Sequence, residues 1–308
     1  MVSLKRRTNW FRIRETKFFI DNMTTVNERS TIEELHRFIT DYPRLFVLTG
    51  AGCSTASGLG DYRDKNGQWK RPQPITGQTF INDTLARKRY WARSAVGWPS
   101  FHAAKPAAAH HALARLQQQG FATTLVTQNV DELHQQAGHT DVIDLHGVLS
   151  TVSCLDCKAR ELRNDFQQRL IAANPWLANL SAAHAPDGDA DLELDQLDSV
   201  SVPACQRCQG MLKPDVVFFG ENVNKHIVES ALQQLSQADA LLVVGSSLMV
   251  FSGFRFCRAA ANNKQPIVIV NHGKTRADDM ASLKIEGDVG ENLENLVQRV
   301  LTVPVGSR

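Results

Sequence analysis

The chain has no run of the roughly 18 apolar residues that a membrane-spanning helix needs. It has no marked excess of charge of either sign, since 34 Lys and Arg against 32 Asp and Glu leave a net charge of +2. DNA-binding motifs are also absent, so nucleic acid is not expected as the main partner. The N-terminal stretch MVSLKRRTNWFRIRETKFFIDNM is basic and aromatic. It lacks the uninterrupted apolar centre of a secretory signal, and Glu15 and Asp21 argue against an organellar transit peptide. Residues 1–29 are therefore read as a mobile extension. Repeats and low-complexity tracts are missing. So is a G-x-G-x-x-G with an acid about 20 residues beyond it, which argues against an ordinary NAD dehydrogenase. What remains is a soluble chain of 308 residues, long enough to bury a sizeable core, with six cysteines and no export signal.

The stretch from Phe46 to Arg63, FVLTGAGCSTASGLGDYR, anchors the rest. Phe46-Val47-Leu48 has the composition of a buried strand, and the chain then turns at Gly50-Ala51-Gly52. Close glycines after a strand let backbone N–H groups approach a pyrophosphate, with the following helix start supplying positive charge; a plain tight turn is the alternative. Asp61-Tyr62-Arg63 then places an acid, an aromatic and a base beside that turn.

Ser30 and Glu33 mark a capped helix start, with Ile32, Leu35, Phe38 and Ile39 on one apolar face. Residues 64–105 read as irregular, with a helix around 82–94. Ala107–Gln119 is an alanine-rich helix closed by Gly120. Strands follow at Phe121–Thr127, before Gln128-Asn129-Val130-Asp131, and at Val142–Gly147, which ends in Leu145-His146-Gly147. Later strands are expected at Val216–Glu221, Ala240–Gly245 and Pro266–Asn271. Strands alternating with helices indicate an α/β fold, a doubly wound parallel (Rossmann-like) sheet whose polar strand tips share one crevice.

Cys154-x-x-Cys157 and Cys205-x-x-Cys208 bracket 47 residues. Two such pairs satisfy tetrahedral zinc with no open position, so one structural Zn²⁺ is expected in a smaller zinc-ribbon-containing module. The acidic stretch Ala185–Asp198 is read as a solvated, mobile loop. The expected division is an extension over 1–29 and an NAD-binding Rossmann-like domain over 30–149 and 211–303. That domain carries a helical insertion near 64–105, and the zinc module spans 150–210.

In this order the motifs GAGCSTASGLGDYR, TQNVDELH, LHG, the two C-x-x-C pairs, KPDVVFFGE and GSSL resemble the sirtuins, NAD-dependent protein deacylases, over roughly residues 31–300. Arg89-Tyr90-Trp91-Ala92-Arg93, Val96-Gly97-Trp98-Pro99, Ala185-Pro186-Asp187-Gly188-Asp189 and Thr275-Arg276-Ala277-Asp278 resemble the class II branch, as does Asp61-Tyr62-Arg63. Gly60 and Gly273 depart from the residues common in the family, proline and an acid.

The resemblance implies transfer of an acyl group from a protein lysine to ADP-ribose, with release of nicotinamide. It implies His146 as the general base, a role that needs a near-neutral pKa, with His134 as a structural rival. Asn129 and Asp131 complete the catalytic set, on the ribose and the carboxamide. The resemblance assigns cofactor contacts to Gly50, Ala51, Gly52, Thr55, Asp61, Tyr62, Arg63, Gln128 and Val130. Further contacts fall to Gly245, Ser246, Ser247, Asn271, His272, Gly273 and Val289. Val216, Phe218, Gly220, Val250 and Phe251 are expected to receive the substrate backbone as an added strand, with one of Phe218 and Phe219 in the core. Tyr90 and Arg93 resemble a clamp for acidic acyl groups, which opens an acyl preference other than acetyl (acidic or long). The alternative is a packed helix face with Arg93 solvated. Mono-ADP-ribosyl transfer or lipoamide cleavage at the same NAD site is the rival activity, and a non-catalytic zinc interaction module a further one. The implied partners are acylated lysines of proteins, with no nucleic acid and no membrane, for a monomer of the bacterial cytoplasm or the mitochondrial matrix.

Overall fold

The computed structural model describes residues 31–184, 186–192 and 197–302; the extension expected over 1–29 lies outside them. Helix α1 (Ile32–Asp41) starts one residue later than Ser30 and Glu33 suggest. Thr31 is the N-cap, and its Oγ accepts from the Glu34 N–H while the Glu34 carboxylate accepts from the Thr31 N–H at 2.6 Å. Leu35, Phe38 and Ile39 are its buried face.

Six parallel strands form the main sheet in the order β11-β10-β9-β1-β2-β3. They are β1 (Leu45–Thr49), β2 (Ala122–Thr127), β3 (Val142–Asp144), β9 (Ala240–Val244), β10 (Ile267–Asn271) and β11 (Leu283–Glu286). Every residue of β1, β9 and β10 is buried, which is why each reads as a continuous apolar run rather than an alternation. Side chains still alternate between faces. Leu45, Val47, Leu242 and Val244 pack with α1, α4 (Ala108–Gln118) and α9 (Val289–Thr302). Phe46, Leu48, Leu241 and Val243 pack on the other face with α7 (Lys225–Gln237) and α8 (Phe251–Asn262). From β1 the chain winds outward to β2 and β3, then returns to the opposite side of β1 for β9, β10 and β11. The order reverses between β1 and β9, and the crevice beyond their carboxyl ends is where an open α/β sheet takes a ligand.

The second lobe has different bounds from those expected. Its antiparallel sheet, β5-β4-β8, takes β4 (Gly147–Cys154), β5 (Arg160–Leu162) and β8 (Leu212–Val216), so it starts before residue 150 and runs past 210. The strand expected over Val216–Glu221 is thus β8, placed a few residues earlier and outside the parallel sheet. Pro214 is tolerated because β8 is an edge strand, free to lack one donor. Residues 77–103 are two helices, α2 (Gly77–Asn82) and α3 (Thr84–Ala103), and α3 extends well beyond Ser94. Phe80, Trp91, Ala92 and Ala95 share a core with Val152, Phe166, Leu170 and Leu212, so this helical insertion belongs physically to the zinc module. Helix α6 (Arg163–Ala173) carries Phe166 and Leu170.

Part of the stretch expected to be solvated is packed. The two-residue strands β6 (Ala183–His184) and β7 (Ala190–Asp191) pair, and Ala190 and Val200 are buried. A side chain at Gly97 of α3 would collide with the Gly188 carbonyl, so the missing Cβ lets this turn dock on the helix. Residues 185 and 193–196 lie outside the described part.

Candidate active site

The turns after β1 and β9 press directly on each other. A Cβ at Gly50 would lie 2.8 Å from Ser246 Cβ, and one at Gly52 2.8 Å from Gly245 Cα. The Gly50 N–H donates to the Val244 carbonyl at 3.1 Å and the Gly52 N–H to the Gly245 carbonyl at 2.8 Å. The two glycines therefore serve turn-on-turn approach, and their amides are already engaged rather than aimed at a pyrophosphate. Nor does a full helix follow: Ala51–Cys53 and Thr55–Ser57 are single 3-10 turns, too short for an appreciable dipole. Thr55 Oγ1 donates to the Gly52 carbonyl.

The polar tips of β1, β2 and β9 bond to one another. Gln128 Nε2 donates to Ser246 Oγ at 2.7 Å and to the Thr49 carbonyl at 3.2 Å. Asn129 Nδ2 donates to the Gly50 carbonyl at 3.1 Å and to Ser54 Oγ at 3.0 Å, and the Ser54 hydroxyl donates to Asp131 Oδ2 at 2.7 Å. Asp131 Oδ1 accepts from the Leu133 N–H at 2.9 Å. Asn129 and Asp131 are thus joined through Ser54, whose role the sequence reading missed, while Gln128 ties the tip of β2 to the turn after β9. Three buried imidazoles back it: His110 reaches Ser54 Oγ at 3.3 Å, His134 meets Thr49 Oγ1 at 2.9 Å, and the ring of His139 stands beside that of His134. Burial lowers the pKa of all three, keeping them neutral.

His146 lies just beyond β3. Its Nδ1 is 2.8 Å from the Gln128 carbonyl, which can only accept, so Nδ1 carries the proton and Nε2 the lone pair. Burial, with a smaller contribution from the Arg255 charge, lowers its pKa below the ordinary imidazole value. A neutral base with its tautomer fixed by a backbone carbonyl is the result.

Asp61 pairs with Lys70. The Tyr62 ring packs edge-on against Trp69 and Phe219. The Arg63 guanidinium lies 3.9 Å over Trp69 and donates to the Gly67 carbonyl at 2.8 Å. These three residues thus build a small aromatic hairpin beside the glycine turn. Val130 is buried with Trp98, Phe101 and Leu149. Ser246 Oγ also accepts from the Leu248 N–H, and the Ser247 carbonyl accepts from the Arg276 N–H.

At the far end of the crevice, Asn271 Nδ2 donates to the Gly273 carbonyl, and the Gly273 N–H donates to Glu286 at 3.0 Å. Glu286 thereby supplies a carboxylate beside Gly273, where the sequence reading noted a missing acid; Lys284 pairs with it. His272 is exposed. Val289 packs into the core beneath α9, so its side chain is a poor surface for a base to stack on.

Among the expected substrate residues, Phe218 is buried against Phe80 and Tyr90, while Val216 is half-buried and Gly220 exposed. Phe218 is therefore the core member of its pair. Val250 and Phe251 are exposed at the start of α8, 37% and 48%. Arg93 is not solvated: its Nε and Nη2 bond both oxygens of Asp189 at 2.9 and 2.8 Å. Tyr90 packs among Phe80, Trp91 and Phe218. A cavity of about 390 Å³ opens beside Asp189, lined also by Leu59, Ser100, Phe101 and Lys105 among others.

The four thiolates of Cys154, Cys157, Cys205 and Cys208 lie within 4.8 Å of one another. Sulfur separations of 3.5 and 3.7 Å fit a tetrahedron of Zn–S bonds of about 2.3 Å. Lys158 and Gln209, each just after the second cysteine of its pair, share a positive φ of 61°. The Lys158 and Gln209 N–H groups donate back to the Cys154 and Cys205 carbonyls, so the two knuckles have matching turns. This set is positioned to hold one zinc ion.

A Rossmann-like parallel sheet with a polar switch-point crevice and a four-cysteine lobe together define an α/β protein with a ligand crevice and a zinc-binding module. The Sir2 family model matches residues 50–252. The chain is 58% identical over 255 residues to NAD-dependent protein deacetylase 2 of Bradyrhizobium diazoefficiens, covering 82% of this chain and 93% of that protein. It is 56% identical over 274 residues to the NAD-dependent protein deacetylase of Xanthomonas campestris pv. campestris (strain 8004), covering 89% and 94%. A solved Sir2–p53 peptide–NAD+ complex superposes with a TM-score of 0.70 at 28% identity, over 88% of this chain and 98% of that one. This chain belongs to the Sir2 family.

Proposed function

We propose that this protein removes acyl groups from protein lysines with consumption of NAD, releasing nicotinamide and O-acyl-ADP-ribose. The observation that carries the reading is His146: a half-buried, neutral imidazole with Nδ1–H donated to the Gln128 carbonyl and the Nε2 lone pair left as the base. Beside it, Asn129 and Asp131 are held in fixed rotamers by Ser54.

The residues present fit NAD. Small residues line the crevice between β1 and β9, and the unpartnered, buried Ser57 hydroxyl lines the neighbouring cavity with Leu59 and Asp189. Ser246, Ser247 and Gln128 would hold ribose and phosphate, Asn271 and Glu286 the adenosine end, and Asn129 and Asp131 the nicotinamide end. Tyr62 and Arg63 would shield the reacting carbon from water. Bound there, NAD supplies the ribosyl carbon that accepts the acyl oxygen. His146 Nε2 would accept the proton of a ribose hydroxyl of the bound cofactor. Relatives named as NAD-dependent protein deacetylases, and a neighbour solved with NAD and a peptide, support this assignment.

Exposed Val250 and Phe251 face outward at the start of α8, and the backbone from Val216 to Gly220 would accept the substrate as an added strand. The zinc ion would staple the second lobe, with no coordination position left for chemistry. Arg93 already has a carboxylate, Asp189, so the resting site favours uncharged acyl groups. An acidic acyl chain would have to displace Asp189. Residues 61–63 and 89–99 favour the class II branch, and the bacterial relatives favour a bacterial cytoplasm. Mass spectrometry of NAD with acetyl-, succinyl-, glutaryl-, methylglutaryl- and lipoyl-lysine peptides tests the reading. O-acyl-ADP-ribose is the expected product; ADP-ribosylated protein without it would replace deacylation by ADP-ribosyl transfer.

A further inference from the structure

The general base has a second partner that the sequence does not advertise. Ser252, the second residue of α8, sits with its Oγ 2.7 Å from His146 Nε2. With Nδ1–H committed to the Gln128 carbonyl, Nε2 has only its lone pair, so the Ser252 hydroxyl must be the donor. Ser252 is 9% exposed, and its position is set by close packing: a Cβ on the next residue, Gly253, would collide with the Gln128 side chain. The start of α8 is thereby pressed onto the residue whose carbonyl orients the imidazole. The same helix end faces Val250 and Phe251 outward.

We infer that Ser252 is a positioning residue for His146, a hydroxyl cap on Nε2 that holds the ring in plane. This rests on the reading of His146 as the base. Nε2 has one in-plane lone pair, so a substrate hydroxyl that gives it a proton must take the place of Ser252. The cap keeps the base aimed and dry while the site is empty, and leaves when the hydroxyl it mimics arrives. The neutral ring accepts from this hydroxyl at Nε2, and a protonated ring would donate Nε2–H to one of its lone pairs, so Ser252 orients the imidazole in either charge state.

The charged neighbours leave this bond as the adjustable contact. From α8, Arg255 acts on the ring and also disfavours its protonation. From β8, Asp215 is turned away, onto Arg160 at 2.9 Å and Thr151 Oγ1. From the loop after β2, Asp131 is committed to Ser54 and the Leu133 N–H.

The test is an ¹⁵N NMR titration of the His146 imidazole in the zinc-loaded protein without NAD, comparing wild type, Ser252→Ala and Ser252→Thr. Wild type and Ser252→Thr should keep the Nδ1–H tautomer with a hydrogen-bonded Nε2. Ser252→Ala should lose the hydrogen-bonded Nε2 shift. Its kcat on an acyl-lysine peptide should fall about two- to tenfold with KM little changed. An unchanged Nε2 shift in Ser252→Ala, or an equal loss in Ser252→Thr, would overturn the cap. A lost Nε2 hydrogen bond in a protein whose His146→Ala variant still turns over would instead leave the cap standing and remove the base assignment.

Discussion

The two lobes solve the same problem with different means. The sheet lobe is self-sufficient: β1, β9 and β10 are buried throughout, and helices cover both faces. The second lobe has a three-stranded sheet, and its core is completed by Phe80 and Trp91 from α2 and α3 and by four thiolates placed for zinc. His146, Asn129 and Asp131 stand at or near strand ends of the sheet lobe. Arg93, Asp189 and Phe218, which the proposed function sets on the acyl and peptide side, belong to the less autonomous one. On that reading the sheet lobe holds the reacting atoms, and a separately built lobe varies what is offered to them.

The largest break in that comparison is metal removal. A chelator that strips zinc should unfold the second lobe and abolish turnover, while the six-stranded sheet keeps its amide protection. Hydrogen exchange read lobe by lobe checks this; loss of protection in both at once would mean that they are not separable. A smaller effect should come from Asp189→Asn, which removes the carboxylate from Arg93 and leaves the sheet lobe untouched. Turnover of succinyl- or glutaryl-lysine peptides relative to acetyl-lysine should rise about tenfold, the equivalent of about 1.4 kcal/mol. An unchanged ratio would show that Arg93 does not meet the acyl group.

Titration sharpens the comparison on the other side. His110, His134, His139 and His146 all have lowered pKa values in the folded chain, chiefly through burial. The unfolded chain, titrating near 6.5, then binds protons that the folded one refuses, so stability is fully present above that value and falls as pH drops below it. Asp144, raised by burial to about 6, acts in the opposite sense below that pH, where the folded chain takes up a proton first. Calorimetric Tm should therefore fall between pH 7.5 and 6, and His139→Gln should flatten the slope. The mildest change is Thr31→Ala, which removes the cap of α1 at the outer edge of the sheet lobe. It should cost about 1 kcal/mol in denaturant unfolding, with kcat unaltered.

The buried strands were legible because a strand covered on both faces is a short apolar run with little else to be. The cysteine pairs were legible because metal geometry constrains their spacing. Less visible were contacts closed across long stretches of chain. Ser252 meets His146 over 106 residues and Arg93 meets Asp189 over 96, and no local pattern marks either pair. Glu286 likewise reaches Gly273 from the neighbouring strand and stands in for an acid missing from the loop itself. Gly50 and Gly52 stand out in the sequence as a phosphate turn, and in the structure they serve the approach of two turns. Strand β8 was misplaced because Pro214 and the apolar Val216–Phe219 suggested a buried parallel strand; the edge of the antiparallel sheet accommodates the proline.

The central claim is that His146 Nε2 is the proton acceptor in a site otherwise assembled without it. The most direct measurement pairs calorimetric NAD binding with product analysis for His146→Ala on an acetyl-lysine peptide. NAD affinity within a few-fold of wild type, with O-acetyl-ADP-ribose formation reduced by about 10²–10⁴, is the expected result. Formation of that product at the wild-type rate would contradict the account.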